Sequence, residues 1–219
     1  SDSDRHMGAI ADALRHRYND RALARVVFSE SHDEVANGKA RIPEMIAPGD
    51  GESLAARKRS TLAAAIVMTA PGVPMIFQGQ ELLTTGSFDD VTPLDWTRAT
   101  SQAGILALYT DLIHLRRNTD GHTAGLRGGA VDVFHVNDGA KVVVYRRDEV
   151  IVLANFSATD FATYEIGLPA AGSWQVRFNS DDQKYGADFG GQAQTSVTTM
   201  AMARDGFAQK ASVALPAYS

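Results

Sequence analysis

Apolar residues recur every three or four positions in three segments of the N-terminal half, and this spacing predicts amphipathic helices. The predicted helices cover residues 8–18, 52–70 and 101–117. Two short apolar runs lie between them and predict strands that are buried on both faces. These runs are residues 24–29 (ARVVFS) and 73–77 (VPMIF). The order helix, strand, helix, strand, helix predicts parallel strands joined by crossover helices.

The pattern changes after Gly121, where short runs rich in β-branched and aromatic residues alternate with Gly, Asp, Asn and Pro turns. Such spacing predicts an antiparallel β-sandwich of about 95 residues. The predicted strands are residues 131–135, 141–146, 150–156, 162–166, 174–178, 196–202 and 211–215. The sequence thus predicts an α/β part over residues 8–121 and an all-β part over residues 122–219. Residues 1–7 (SDSDRHM) are interpreted as a cloning remnant, because His-Met often precedes the first natural residue of an expressed protein.

Composition narrows the function classes. The chain has 219 residues, 21 Lys and Arg, 26 Asp and Glu, and a net charge of −5. With no basic run, neither nucleic acid nor an anionic membrane is an expected partner. The absence of cysteine excludes disulfides and thiolate metal sites and fits a reducing compartment, so the expected location is the cytoplasm. The His residues have no ligand spacing, so neither a metal nor a cofactor is expected.

The candidate chemistry follows the first predicted strand. His32 and Asp33, flanked by acidic residues, leave its C-terminal end and begin a polar connection that reaches residue 52. Active sites of barrel and open α/β folds lie at that end of the strands. A connection longer than twenty residues is usually functional or disordered. The alternative is an Asp that caps a local turn, and residue pattern alone gives the two interpretations equal weight.

Four motifs carry a family resemblance. Residues 28–39 (FSESHDEVANGK) resemble the fourth signature region of glycoside hydrolase family 13, in the His-Asp-Glu-Val-x-x-Gly-Lys wording of its branching enzymes. Residues 71–81 (PGVPMIFQGQE) and 93–96 (PLDW) resemble the eighth barrel strand of that family and the segment after it. Residues 178–186 (FNSDDQKYG) resemble an element of the branching-enzyme C-terminal sandwich. The motifs occur in the family's order along nearly the whole chain.

The resemblance implies a fold and a chemistry. The α/β part would be strands seven and eight of a (β/α)8 TIM barrel with their helices, followed by the family's β-sandwich. Enzymes of the family act on α-1,4-glucans by a retaining mechanism with a carboxylate nucleophile and a second carboxyl group as acid and base. Both groups would lie upstream of Gly8, so the chain alone is expected to be inactive. Its partner would be an α-1,4-glucan such as glycogen, starch or a maltooligosaccharide.

The resemblance also assigns roles to residues. Asp33 matches the third carboxylate of the family, which stabilises the transition state through hydrogen bonds to the sugar. His32 matches a histidine that binds the same sugar, while Glu34 and Lys39 are weaker candidates for the glucan groove. Gln80 and Glu81 are expected to contact the residues that bind the substrate rather than the substrate itself.

Other conspicuous side chains have simpler expected roles. Trp96 is expected to pack at the end of the barrel, and Met200 and Met202 are expected to pack on a strand face. Trp174 and Phe178 are expected to lie in the sandwich core, and residues 57–59 (RKR) are expected to form a solvated helix face.

Three functions remain open. The His-Asp-Glu-Val wording favours a branching transferase, whereas Glu30-Ser31 before it and Ala36-Asn37 after it depart from that wording and leave an α-amylase-type hydrolase possible. A non-catalytic carbohydrate-binding or interaction module is the alternative from another class. Two barrel strands leave unpaired edges and an apolar face, so the chain is expected to form a homo-oligomer through its N-terminal half.

Overall fold

The computed structural model describes residues 2–36, 39–190 and 194–219. The N-terminal half is mainly helical, and the C-terminal half consists of antiparallel strands. The α-helices are α1 (Met7–Arg15), α2 (His32–Val35), α3 (Ile42–Ile46), α4 (Leu54–Thr69), α5 (Arg98–Ser101) and α6 (Ala103–Arg117). The strands are β1 (Val26–Val27), β2 (Val73–Pro74), β3 (Asp132–Asn137), β4 (Val142–Arg147), β5 (Val150–Asn155), β6 (Phe161–Leu168), β7 (Ser173–Gln175), β8 (Ser196–Thr198) and β9 (Gln209–Leu215).

Strands β1 and β2 pair in parallel, with Val26 opposite Val73. The predicted alternation of helices and strands is therefore present, but each strand is only two residues long. The prediction that both strands are buried on both faces is wrong, because Val26 is 53% exposed and Phe28 and Val73 are exposed too. A parallel sheet is buried only where elements cover both of its faces. In the part of the chain described, only the face with Val27 is packed.

Helices α4 and α6 form the core of the helical half. Ser53 caps α4 by accepting a hydrogen bond from the Ala56 amide at 3.3 Å, and Pro71 and Gly72 follow the helix end, as the sequence predicts. Apolar side chains from both helices pack together in one buried cluster. Arg116 of α6 donates to backbone carbonyls at the C-terminal end of α4. A cation at the C-terminal end of a helix also interacts favourably with the negative end of the helix dipole.

In its described residues, the C-terminal half has three small antiparallel sheets, with strand orders β3-β4-β5, β6-β9 and β7-β8. Side chains alternate between the two faces of a strand, and β4 uses both faces. Val142 and Val144 lie in the core between the sheets. Val143 and Tyr145 point the other way and pack against Met7 and other residues of α1. This strand therefore joins the two halves of the molecule through one continuous apolar contact.

The segment of residues 180–189 in the C-terminal half docks on α4 and α6, and we call it the clasp segment. Its Tyr185 and Phe189 are buried in the helical core. Lys58 Nζ of α4 lies 2.7 Å from Asp181 Oδ1, and the Asp181 side chain is buried while that of Lys58 is mostly covered. The Tyr185 hydroxyl donates to Asp111 Oδ2 of α6 at 2.6 Å. The clasp segment is therefore a second attachment between the halves, made of apolar and ionic contacts together.

This docking corrects two predictions. The helix face of residues 57–59 is not solvated, because its three cations contact the C-terminal half or the N-terminal acid Asp2. Phe178 packs against the helical core rather than the sandwich core, whereas Trp174 does pack in the sandwich. Residues 176–180 carry no strand, so alternation along the predicted strand cannot keep Phe178 on the Trp174 face.

Three expected packing residues are exposed. Trp96 is 69% exposed, and Met200 and Met202 are exposed as well. Trp96 lies in the connection before α5, and no described element covers it. Strand β8 ends at Thr198. Beyond it Met200 forms an isolated antiparallel bridge to Lys210 of β9, and the bridge leaves the Met200 side chain exposed.

The first residues take part in the fold. Met7 starts α1 and is fully buried, and its amide donates to Asp138 Oδ1 at 2.8 Å. Asp2 accepts a hydrogen bond from the Tyr218 hydroxyl. The assignment of residues 1–7 to a cloning remnant stays a prediction, as does the domain boundary between residues 121 and 122.

Candidate functional site

The predicted site residues lie where the sequence places them, just beyond the C-terminal end of β1. Ser31 has extended backbone angles and starts α2, and His32, Asp33 and Glu34 form its first turn. Lys39 follows, while Asn37 and Gly38 of the same motif lie outside the described residues. The four side chains thus belong to one short segment at the edge of the parallel pair.

All four side chains face solvent, with Asp33 82% and His32 70% exposed. His32 Nε2 lies 3.2 Å from Asp33 Oδ1, and Lys39 Nζ lies 3.8 Å from Glu34 Oε2. Exposed ion pairs of this kind contribute about 0–1 kcal/mol. Their polar atoms therefore remain available to a ligand at little cost.

The arrangement suits hydroxyl groups. An ionised carboxylate only accepts hydrogen bonds, and an imidazole nitrogen can donate one. Asp33 and His32 together can bind neighbouring hydroxyls of a sugar ring, and hydrogen bonds to a charged carboxylate are stronger than neutral ones.

Beneath these exposed residues lies a buried ion pair that the sequence motifs do not predict. Glu30 and Arg41 are each only 1% exposed. Glu30 Oε2 accepts from Arg41 Nη2 at 2.8 Å and from Nε at 3.2 Å. Glu30 Oε1 accepts from the Ile42 amide at 2.6 Å. A fully buried carboxylate is tolerated because both of its oxygens are satisfied.

Arg41 and Gln80 connect this layer to the loop after β2. Arg41 Nη2 also donates to the Gln78 carbonyl at 2.9 Å, and its guanidinium lies 5.0 Å from the centre of the Phe77 ring. Gln80 accepts from the Phe77 amide at 2.7 Å and donates to Ser29 Oγ at 2.8 Å. Polar side chains therefore join the segments that follow the two parallel strands at two points. Gln80 bonds to Ser29, and Arg41 links Glu30 to the Gln78 carbonyl.

Tyr109 of α6 borders the same layer. Burial, reinforced by the nearby carboxylates of Glu30 and Glu81, raises the pKa of the Tyr109 hydroxyl above its ordinary range. The hydroxyl is therefore neutral at physiological pH and stays a hydrogen-bonding group.

Sequence reasoning could have found this layer only in part. Glu30 is one of the acidic residues that flank His32 in the motif, and Arg41 gives no signal, because charged residues in a polar loop are expected to be solvated. The motif departs from the branching-enzyme wording at Glu30, and that departure was the one available indication.

Other features of the described residues do not compete with this site. A cavity of about 420 Å³ lies between α4 of the helical half and β5 with residues 173–180 of the C-terminal half, and its lining includes none of the four predicted site residues. Within residues 2–36, 39–190 and 194–219, no group of three His, Asp or Glu side chains could hold a metal ion. The helices described are all too short or too polar to cross a lipid bilayer.

Comparison with known proteins finds relatives over most of the chain. Residues 134–219 match the family model for the α-amylase C-terminal all-β domain. The chain is 30% identical over 203 residues to the 1,4-α-glucan branching enzyme GlgB of Corynebacterium jeikeium (strain K411), covering 88% of this chain and 28% of that protein. It is 32% identical over 200 residues to GlgB of Rhodococcus jostii (strain RHA1), covering 85% of this chain and 27% of that protein. The chain thus spans little more than a quarter of these relatives' length.

Solved structures agree in fold. An α-amylase from Anoxybacillus matches with a TM-score of 0.67 and 15% identity, covering 97% of this chain and 40% of that one. A debranching enzyme from Nostoc punctiforme matches with a TM-score of 0.60 and 20% identity, covering 97% and 38%. At these identities the likeness concerns the fold alone. Residues 134–219 therefore form the C-terminal all-β domain of the α-amylase family, and most of the chain is related in sequence to branching enzymes of that family, glycoside hydrolase family 13, as its motifs indicate.

Proposed function

We propose that this chain is part of a retaining α-1,4-glucan enzyme of the branching type and that it supplies the carboxylate that stabilises the transition state. The observation that carries the proposal is the position of His32 and Asp33. They are exposed beside the C-terminal end of a parallel strand, in a chain 30% identical to a branching enzyme over most of its length. The strand end is where enzymes built on parallel sheets place their sites.

In this proposal β1 and β2 are strands seven and eight of a (β/α)8 barrel. Their parallel pairing and the crossover through α4 support the assignment. The exposed faces of Val26, Phe28 and Val73 also support it, since an apolar strand face is stable only when other elements cover it. The six other strands would belong to a longer protein that contains this chain.

The role of Asp33 follows from the chemistry of retaining glycosidases. Their transition state carries positive charge on the sugar ring, and hydrogen bonds to ring hydroxyls strengthen there and contribute several kcal/mol. Asp33 would accept such bonds, His32 would bind the same sugar, and Glu34 and Lys39 would contact the glucan chain nearby. Carboxylates outside the described segment would act as nucleophile and acid.

The test is Asp33→Asn in the full-length protein. Loss of one charge with the shape kept should lower kcat by about 10²-fold or more, because an interaction made mainly in the transition state is removed. The melting temperature should stay unchanged, since the side chain is exposed. The matched control is Asp50→Asn, an exposed carboxylate in the connection before α4. A kcat for Asp33→Asn within about threefold of wild type would refute the role.

Branching and hydrolysis are separated in the same assay. Transfer to a glucan hydroxyl changes the iodine stain of amylose without releasing reducing ends, whereas hydrolysis releases them. The 219-residue chain by itself should do neither, because a transition-state stabiliser cannot replace a nucleophile. Turnover by this chain that Asp33→Ala abolishes would contradict the assignment.

The exposed face also leads to a proposal on assembly. The chain by itself should associate into dimers or larger oligomers through β1 and β2, because an uncovered edge and apolar face favour association. Val26→Glu should shift the molar mass from light scattering towards the monomer. The control Val91→Glu, at an exposed loop position outside this face, should not. A monomeric wild-type chain would contradict this proposal without affecting the role of Asp33.

A further inference from the structure

The exposed side chains of the candidate site require a structural element that fixes their orientation. The hydrogen bonds and ion pairs described for the side chains of His32, Asp33, Glu34 and Lys39 stay within the segment itself. The direction of the Asp33 carboxylate therefore depends on the backbone of residues 29–36. Catalytic groups must be held to within a fraction of an ångström of the productive position.

The backbone of this segment is fixed from two ends. At its C-terminal end Val35 is buried, and its carbonyl accepts a hydrogen bond from the Phe88 amide at 3.1 Å. At its N-terminal end Glu30 is buried and receives three hydrogen bonds, two from Arg41 and one from the Ile42 amide. The Ser31 carbonyl between them accepts from the amides of Glu34 and Val35, which begins α2. Asp33 thus lies between two anchors.

The N-terminal anchor is the more exacting one. The guanidinium fork of Arg41 holds Glu30 and the Gln78 carbonyl at the same time, so it sets the distance between the segments after β1 and β2. A buried carboxylate bound on both oxygens can move only if its partners move with it. The Arg41 amide is itself bonded to the Gly86 carbonyl at 2.7 Å.

We infer that Glu30 is a positioning residue: paired with Arg41, it fixes the backbone that carries Asp33 and so aims the Asp33 carboxylate at the substrate. The inference deepens the proposed function and rests on it for the reaction that is affected. Glu30 touches no substrate in this scheme and acts only through the segment it anchors. Neither its burial nor its pairing follows from the motif, which departs from the usual wording at this position.

The first test uses the 219-residue chain and needs no activity. Glu30→Gln keeps the shape but removes the charge that holds the Arg41 fork. Hydrogen exchange of the amides of residues 29–36 should rise by about tenfold or more, while exchange in α6 and β4 stays within about twofold, as expected for local opening. Asp50→Asn is the control and should leave residues 29–36 unchanged. Unchanged exchange there in folded Glu30→Gln would overturn the inference.

The second test uses the full-length protein and separates positioning from general support. Glu30→Gln should lower kcat by about tenfold or more with KM within about threefold, because the loss falls on the transition state. In an Asp33→Asn background the same change should have little further effect, since two residues acting through one group are not additive. Additive losses, or a kcat within about threefold of wild type, would overturn the inference.

The outcomes also separate this inference from the proposed function. If Asp33→Asn leaves kcat unchanged, the proposed function fails, whatever Glu30→Gln does. If Asp33→Asn is impaired and Glu30→Gln is not, only the positioning role fails. Should Glu30→Gln not fold, Arg41→Lys serves instead, because it keeps the charge and loses the fork. It should raise exchange at residues 29–36 and lower kcat in the same way, and normal values for both would overturn the inference.

Discussion

Removal of the Lys58 ammonium should destabilise the protein strongly, because it leaves the Asp181 carboxylate buried and unpaired. Asp181 is only 2% exposed, and Lys58 Nζ is 2.7 Å from its Oδ1. Breaking a buried pair by removing one partner costs about 3–5 kcal/mol. The substitution we would make is Lys58→Met, which keeps the length of the side chain and its packing on α4.

Protonation of Asp181 limits the loss. Burial raises the pKa of Asp181 above its ordinary value, although the Lys58 ammonium opposes this shift. Protonating a carboxylate with an ordinary pKa of about 3.9 costs about 1.4 kcal/mol for each pH unit above that pKa. The stability lost in Lys58→Met therefore cannot exceed about 4 kcal/mol at pH 7 and about 1–2 kcal/mol at pH 5. Because the folded-state pKa is the higher one, stability due to Asp181 is present at low pH and is lost as the pH rises through that pKa.

The measurement is urea or thermal unfolding of the 219-residue chain at both pH values. At pH 7 the melting temperature of Lys58→Met should fall by roughly 10 °C, at about 2–4 °C per kcal/mol for a chain of this size. The loss should be less than half as large at pH 5. Arg57→Met is the matched control, since its partner Asp188 is exposed, and should cost less than about 1 kcal/mol.

The double variant Lys58→Met with Asp181→Leu isolates the unpaired charge. Replacing a buried ion pair by apolar residues of similar size is often neutral, so this variant should recover most of the stability lost in Lys58→Met. A single variant that matches the Arg57→Met control, or a loss equal at pH 5 and pH 7, would refute the burial argument and with it the role of the clasp segment.

Two further predictions concern the same interface. A Cβ on Gly104 would lie 2.2 Å from the Tyr185 carbonyl oxygen, so Gly104→Ala should destabilise the chain by about 1–3 kcal/mol in urea unfolding. The control Gly8→Ala, with open space around it in α1, should stabilise the chain by up to about 1 kcal/mol. Equal effects of the two substitutions would contradict the close approach of the clasp segment. Burial by itself raises the pKa of Asp111, but the Tyr185 hydroxyl and the Lys184 ammonium outweigh it and hold that pKa below the ordinary value. The stabilisation due to the ionised Asp111 carboxylate is therefore present above about pH 4 and is lost as the pH falls through the lowered pKa. The difference in melting temperature between wild type and Asp111→Asn should accordingly narrow from about pH 6 to pH 3. A constant difference would contradict the pairing of Asp111 with Tyr185 and Lys184.

The main elements and the family could be predicted from local sequence pattern alone. Periodicity is a local property, and it located α4, α6 and the strands of the C-terminal half to within a few residues, because each buries one apolar face or both. The motif around His32 and Asp33 identified the family, which the comparison with known proteins confirmed. It also indicated the strand end where these residues lie.

The burial of particular polar residues, by contrast, could be known only from the folded chain. Glu30, Arg41 and Asp181 have ordinary charged side chains in the sequence. Each is buried because a partner far along the chain or across a loop satisfies it, as Lys58 does for Asp181. Likewise, Phe178 joins the helical core because the chain leaves the sheet before it. Burial depends on what packs from elsewhere in the chain, and a local pattern carries no information about that.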